Sequence, residues 1–179
     1  VSNSWGMYDP AWDFPPGHPG NYSDNPNHSF NRIVADLEAA GADILFAAGN
    51  CGAPCPSGKC RFATQSIAGA NSHPKVLSVA GVDTTTVRAG YSSQGPGRLS
   101  PYKPDVCGYT HFRGSGYAAG QPDSGTSASC PVVAGVVAAV RTKYPATVVP
   151  PGILRNLVYR TSKDLGHQGW DPDHGWGVI

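Results

Sequence analysis

The segment Ala42-Asp43-Ile44-Leu45-Phe46-Ala47-Ala48 is an apolar run interrupted only by Asp43, and it follows directly on a helical pattern that a glycine stops. A strand with no polar alternation has both faces covered, which is the condition of a parallel sheet clothed by helices. The helix in front of it is read from Ile33, Val34, Leu37 and Ala40, which share one helical face from Ser29 onward, with Gly41 as the stop. The same alternation continues along the chain. Lys75 to Val82 predicts another buried strand, Ser127 to Lys143 a helix rich in alanine and valine, and Pro151 to Arg160 a last helix. Val1 to Gly6 reads as a short strand opening into a loop, and residues 7–28, rich in Pro, Gly, Asn, Asp and aromatics, as a surface insertion. The expected architecture is α/β, a mostly parallel sheet flanked by helices. In such sheets ligands sit past the carboxyl ends of strands, so the residues after Ala48 are the first place to look for chemistry.

Composition removes several function classes. A net charge of +1 with 14% charged residues provides no field to attract nucleic acid or an anionic membrane. No apolar stretch is long enough to span a bilayer, and Val-Ser-Asn-Ser-Trp-Gly has neither the basic start nor the apolar run of a signal peptide. Three of the five cysteines, Cys51, Cys55 and Cys60, fall within ten residues without a Cys-x-x-Cys pair or a nearby histidine repeat. That spacing argues against structural zinc and for one disulfide with one thiol left over, the alternative being three reduced thiols. A disulfide there fits a secreted or extracytoplasmic protein.

The most informative stretch is Ser124-Gly125-Thr126-Ser127-Ala128-Ser129-Cys130-Pro131, followed by Val132-Val133-Ala134-Gly135. It places Ser127 where a glycine-containing loop turns into a helix, so that backbone N–H groups and the positive helix end face its hydroxyl. Pro131 is expected to fall among the first-turn amides that lack an intrahelical partner. Taken alone, Ser127 reads rather as a helix cap, and Asn50 after Phe46-Ala47-Ala48-Gly49 rather as a left-handed turn residue.

Together these segments resemble the subtilisin-like serine proteases, the subtilases. Gly-Thr-Ser-x-x-x-Pro with Val-x-Ala-Gly is similar to their nucleophile motif, Val1 to Gly6 to their substrate-binding strand, and Phe46 to Asn50 to the strand end bearing the oxyanion asparagine. His73 to Asp83, Tyr91 to Pro96, Lys103 to Val106 and Gly175 to Ile179 resemble further family segments in the same order. Ala128 and Val132 replace the methionine and histidine common in the motif, at positions that supply no triad chemistry. The resemblance implies that Ser127 attacks the scissile carbonyl while its own N–H and the Asn50 amide hold the oxyanion. It also implies that Ser4, Trp5, Gly6, Ala47, Ala48, Gly49, Gly125 and Thr126 line a groove for an extended polypeptide substrate. Small residues at 47–49 would leave room for a sizeable apolar side chain, but the pocket floor falls within Ile67 to Asn71 and the specificity stays open.

A subtilase places its aspartate and histidine before the serine, and no His-Gly-Thr-x-x-Ala-Gly segment occurs here. The expectation is therefore that residues 1–179 are the carboxyl-terminal portion of one catalytic domain, incomplete at its amino-terminal side and inactive alone, with the missing amino-terminal part as partner. An inactive peptide-binding or structural module of the same fold is the competing class. A sedolisin is a weaker rival, since that family carries an aspartate where Asn50 stands. No cofactor is required. Structural calcium, common in subtilases, is possible; Asp9, Asp13 and Asp24 of the insertion read as solvated acids, and no residue is named as a metal ligand.

Overall fold

The computed structural model describes residues 1–114 and 122–179. Four strands, β1 (Ser2–Asn3), β2 (Leu45–Ala47), β3 (Leu77–Val82) and β4 (Val106–Tyr109), form one sheet in sequence order, and every neighbouring pair is parallel. The helices are α1 (Ser29–Ala39), α2 (Thr126–Lys143) and α3 (Pro151–Thr161). This is the α/β architecture expected. β1 lies at one edge of the sheet with β2 its neighbour, and beyond β4 a single parallel bridge from Cys107 to Val178 continues the sheet.

The pleat explains the apolar runs. Leu45, Ala47, Leu77, Val79 and Val106 pack on Cys130, Val133 and Val137 of α2 and on Leu154 and Val158 of α3. The intervening residues Ile44 and Phe46 face the other way, onto Val34 of α1 and Ala70. With both faces covered, no position in β2 or β3 is left for a polar residue to meet water. α2 is seated on glycine: a Cβ at Gly108 would lie 2.6 Å from the Ser129 carbonyl oxygen, so the helix backbone approaches β4 more closely than any side chain permits.

The structure departs from the sequence expectation at β4 and α1. β4 was not anticipated, because its four residues Val-Cys-Gly-Tyr are too short for a period to register. In α1 the buried positions are Asn31, Val34 and Glu38, whereas Ile33 and Leu37 are 52% and 46% exposed. The polar pair is buried because partners await it. Asn31 donates to the Tyr22 and Asn25 carbonyls, and Glu38 receives Lys75 and Arg155.

Cys51 and Cys60 form the disulfide expected in the cysteine loop, and Cys55 is the unpaired, exposed thiol. The insertion is organised by its acids. Asp9 caps a short 3-10 turn, Asp13 accepts from the amides of Phe14, Tyr22 and Ser23, and Asp24 holds Arg98 with both oxygens. Each of the three carboxylates thus holds a different part of the insertion or its neighbours.

One buried histidine makes the fold acid-sensitive. His73 is 6% exposed and accepts the Lys75 amide at Nδ1, and burial, with Lys103, Lys75 and Arg155 nearby, depresses its pKa from 6.5 to about 4. Above pH 6.5 both folded and unfolded chains carry it neutral. As the pH falls from 6.5 toward 4 the unfolded chain takes up a proton that the fold refuses, so stability drops by at most about 1.4 kcal/mol per unit. Thermal melts should show a fall in Tm across this window that is smaller in His73→Asn. Parallel pH profiles for the two proteins would remove His73 as the cause.

Candidate active site

The carboxyl ends of β1 and β2 and the amino end of α2 meet at one place. Gly125, with φ at +86°, turns the chain into α2, a backbone conformation that side-chain-bearing residues rarely adopt. Its amide donates to the Tyr91 hydroxyl at 2.7 Å, and its carbonyl accepts from Thr110 Oγ1 at 3.1 Å. Thr126 is fully buried. Its N–H and its hydroxyl both donate to Asn50 Oδ1 at 2.9 Å, and its oxygen accepts the Gly49 amide at 3.1 Å. Two donors on one oxygen settle which way the Asn50 amide faces, since Nδ2 in that place would oppose donor to donor. Nδ2 is therefore turned outward, where it donates to the Tyr8 hydroxyl at 3.3 Å. The left-handed backbone lies at Gly49, φ +108°, and not at Asn50, so Asn50 is not the turn residue here.

Ser127 sits in the first turn of α2 and is joined to Ser4 by a reciprocal pair of hydrogen bonds. Ser127 Oγ donates to the Ser4 carbonyl at 3.1 Å, and Ser4 Oγ donates to the Ser127 carbonyl at 2.9 Å. The second bond depends on Pro131. Contrary to expectation, Pro131 lies in the second turn of α2, beyond the amides that lack partners. It has no N–H to offer the carbonyl four residues back, which is that of Ser127, and Ser4 takes the vacated acceptor. The helix loses one internal bond, and β1 is fastened to the start of α2 in its place.

Ser127 is not a cap, because Gly125 holds that position. Among the described residues, Ser127 Oγ has the Ser4 carbonyl as its hydrogen-bond partner and no histidine. A serine at the head of a small-residue helix, beside an asparagine fastened by its oxygen at the end of a parallel strand, is one constellation in a fold of this kind. The Subtilase family profile matches residues 1–177. The chain belongs to the subtilase family. A stretch of 55 residues is 40% identical to fervidolysin of Fervidobacterium pennivorans, covering 31% of this chain and 8% of fervidolysin, so the chain spans a small part of that relative's length.

Within this subtilase the residues expected to line a groove separate by exposure. Ser4 and Trp5 are exposed, Gly6, Gly49 and Gly125 are half-buried, and Ala47, Ala48 and Thr126 are buried. Trp5 stands edge-on to Phe30 and Phe46, with ring centroids 5.4 and 5.3 Å away. Two contributors were not singled out from the sequence, Tyr8 against Asn50 and Tyr91 behind Gly125, whereas Asn71, between the walls, ends the stretch Ile67 to Asn71 expected to hold the pocket floor. Tyr8 lies in a segment read as surface insertion, and no local pattern marks a loop tyrosine as facing an asparagine 42 residues on.

Proposed function

We propose that this chain supplies the nucleophile and oxyanion hole of a serine endopeptidase. Ser127 Oγ bonds to the scissile carbonyl carbon, its proton passes to an imidazole, and the carbonyl oxygen becomes an oxyanion held by the Ser127 N–H and Asn50 Nδ2. Collapse breaks the C–N bond as the imidazole hands its proton to the departing amine. Water then hydrolyses the acyl-enzyme by the reverse sequence of proton transfers. The observation that carries the reading is the double anchoring of Asn50 Oδ1 by Thr126, which presents Nδ2 beside the head of the serine helix. A neutral amide suits this task because it donates without lowering the energy of a competing ion pair. The Ser4 carbonyl can orient the Ser127 hydroxyl but cannot take its proton. The imidazole and its carboxylate partner are thus assigned to a segment outside these 179 residues, and the substrate to an extended polypeptide lying along Ser4 to Gly6 and Ala47 to Gly49.

Asn50→Ala, in the protease that contains this chain, should lower kcat by about 10²–10³ with KM nearly unchanged, a magnitude known from subtilisin, a member of this same family, and not obtained from this structure. Rates are to be taken per mole of titratable serine, since the variant also removes an anchor of α2. An unchanged kcat would reduce Asn50 to a fastener of the helix.

A further inference from the structure

If the attacked carbonyl stands between Ser127 Oγ and Asn50 Nδ2, the side chain of the same substrate residue branches one carbon away. It must enter the gap between the two walls that adjoin these atoms, Ser4-Trp5-Gly6 beyond β1 and Ala47-Ala48-Gly49 at the end of β2. The small wall residues suggest a roomy gap, but Asn71 bridges its two walls. Asn71 Nδ2 donates to the Trp5 carbonyl at 2.7 Å and to the Ala47 carbonyl at 2.8 Å, so one amide nitrogen ties the two walls together. The residue is 3% exposed. A carbon added at Gly6 would lie 2.9 Å from that nitrogen and 3.4 Å from Asn71 Oδ1, so the amide already touches the wall.

Asn71 also has nowhere to retreat. It belongs to a short 3-10 segment, Gly69–Ser72, that is buried throughout. Tyr22 lies against this segment: its hydroxyl accepts the Ala70 amide at 3.0 Å, and a Cβ at Gly69 would fall 2.2 Å from its ring. At the outer end of the gap the Tyr8 hydroxyl meets Asn50 Nδ2, and the Tyr8 carbonyl accepts the Arg61 amide at 2.8 Å, which draws the insertion toward the loop after β2. Asn71 Oδ1 is buried without a hydrogen-bond partner. A small hydroxyl entering beside it would supply the missing donor.

We propose that this subtilase cleaves after residues with very small side chains, namely glycine, alanine and serine, and that Asn71 sets the limit. The proposal rests on the peptidase reading above and adds its substrate class. Removing the amide vacates the space between Trp5 and Ala47 without touching Ser127 or Asn50, so larger side chains should gain relative to small ones.

The test uses the protease that contains this chain and a set of fluorogenic peptides identical except for Gly, Ala, Ser, Leu or Phe before the scissile bond. For the natural protein kcat/KM on the alanine peptide should exceed that on the phenylalanine peptide by about 100-fold, within the range that pocket contacts of a few methylenes provide. In Asn71→Ala that ratio should fall at least about 10-fold, through faster cleavage of the Leu and Phe peptides. Because both rates come from one preparation, the ratio does not depend on the folded fraction. Asn71→Ser, which keeps a polar group on a shorter side chain, should fall between the two. A natural preference for Leu or Phe, or a ratio that neither substitution moves, overturns the proposal and leaves the peptidase reading standing. Absence of cleavage of every peptide, with Ser127 inert to a fluorophosphonate, sinks the peptidase reading and the proposal with it.

Discussion

Ser127→Ala, in the protease that contains this chain, should lower kcat by about 10⁶ and abolish covalent labelling by a fluorophosphonate probe, the former being the size of loss known for subtilisin itself within this family. On the proposed mechanism the hydroxyl is the attacking group, and nothing near it among the described residues is placed to substitute. Ser4 Oγ is near, but its proton is donated to the Ser127 carbonyl. Ser129 and Thr126 face inward and are fully buried. Peptide mapping should place the label of the natural protein on Ser127 alone. For the same reason the 179-residue chain by itself should hydrolyse no peptide. Its serine hydroxyl is far too weak an acid to attack an amide at neutral pH without a base, and its partner is a carbonyl oxygen. Turnover by the isolated chain that vanishes in Ser127→Ala would mean that one of its own histidines serves as base.

The largest expected loss of stability is in Asp105→Ala, about 3–5 kcal/mol, read as a lowered denaturation midpoint at unchanged m. Lys103 is 1% exposed, and its ammonium reaches Asp105 Oδ2 at 2.5 Å and the Val76 carbonyl at 2.7 Å. Burial drives the lysine pKa down and the Asp105 charge opposes the shift. The carboxylate is itself saturated, taking the Ser78 amide on Oδ2 at 2.6 Å and the Tyr159 hydroxyl on Oδ1 at 2.6 Å, so one side chain joins β3, the start of β4 and α3. Cutting it out strands a buried cation together with a buried hydroxyl and amide. Replacing both ions, as in Lys103→Met with Asp105→Asn, should cost less than Asp105→Ala, because no net charge is then left without a partner. Equal losses in the two proteins would show that the hydrogen bonds of Asp105, and not its charge, hold these elements together.

Much of the fold is legible along the chain. Runs such as Ile44 to Ala48 and Leu77 to Val82 announce strands covered on both faces, and Gly-Thr-Ser before Ala-Ser-Cys-Pro announces a serine at a helix start. These features survive reading because burial on both faces and the demand for glycine at positive φ act on each residue where it stands. Where partners from elsewhere decide, reading fails. The hydrophobic face of α1 misleads because Asn31 and Glu38 are buried by groups that the insertion, Lys75 and Arg155 bring to them. Pro131 looks like a first-turn proline until the helix is seen to begin at Thr126.

The sequence by itself determined the family, the parallel α/β layering and the candidacy of Ser127 and Asn50, since each rests on residue type and order. Only the tertiary structure decided which face of the Asn50 amide is turned outward, that the Ser127 carbonyl released by Pro131 is taken by Ser4, and that the Asn71 amide ties the Trp5 and Ala47 carbonyls together. Those outcomes join residues 76, 123 and 66 positions apart through hydrogen bonds whose donors and acceptors carry no mark of one another in the local pattern. Periodicity records how much of a residue is hidden, whereas the identity of what hides it is settled when the chain folds.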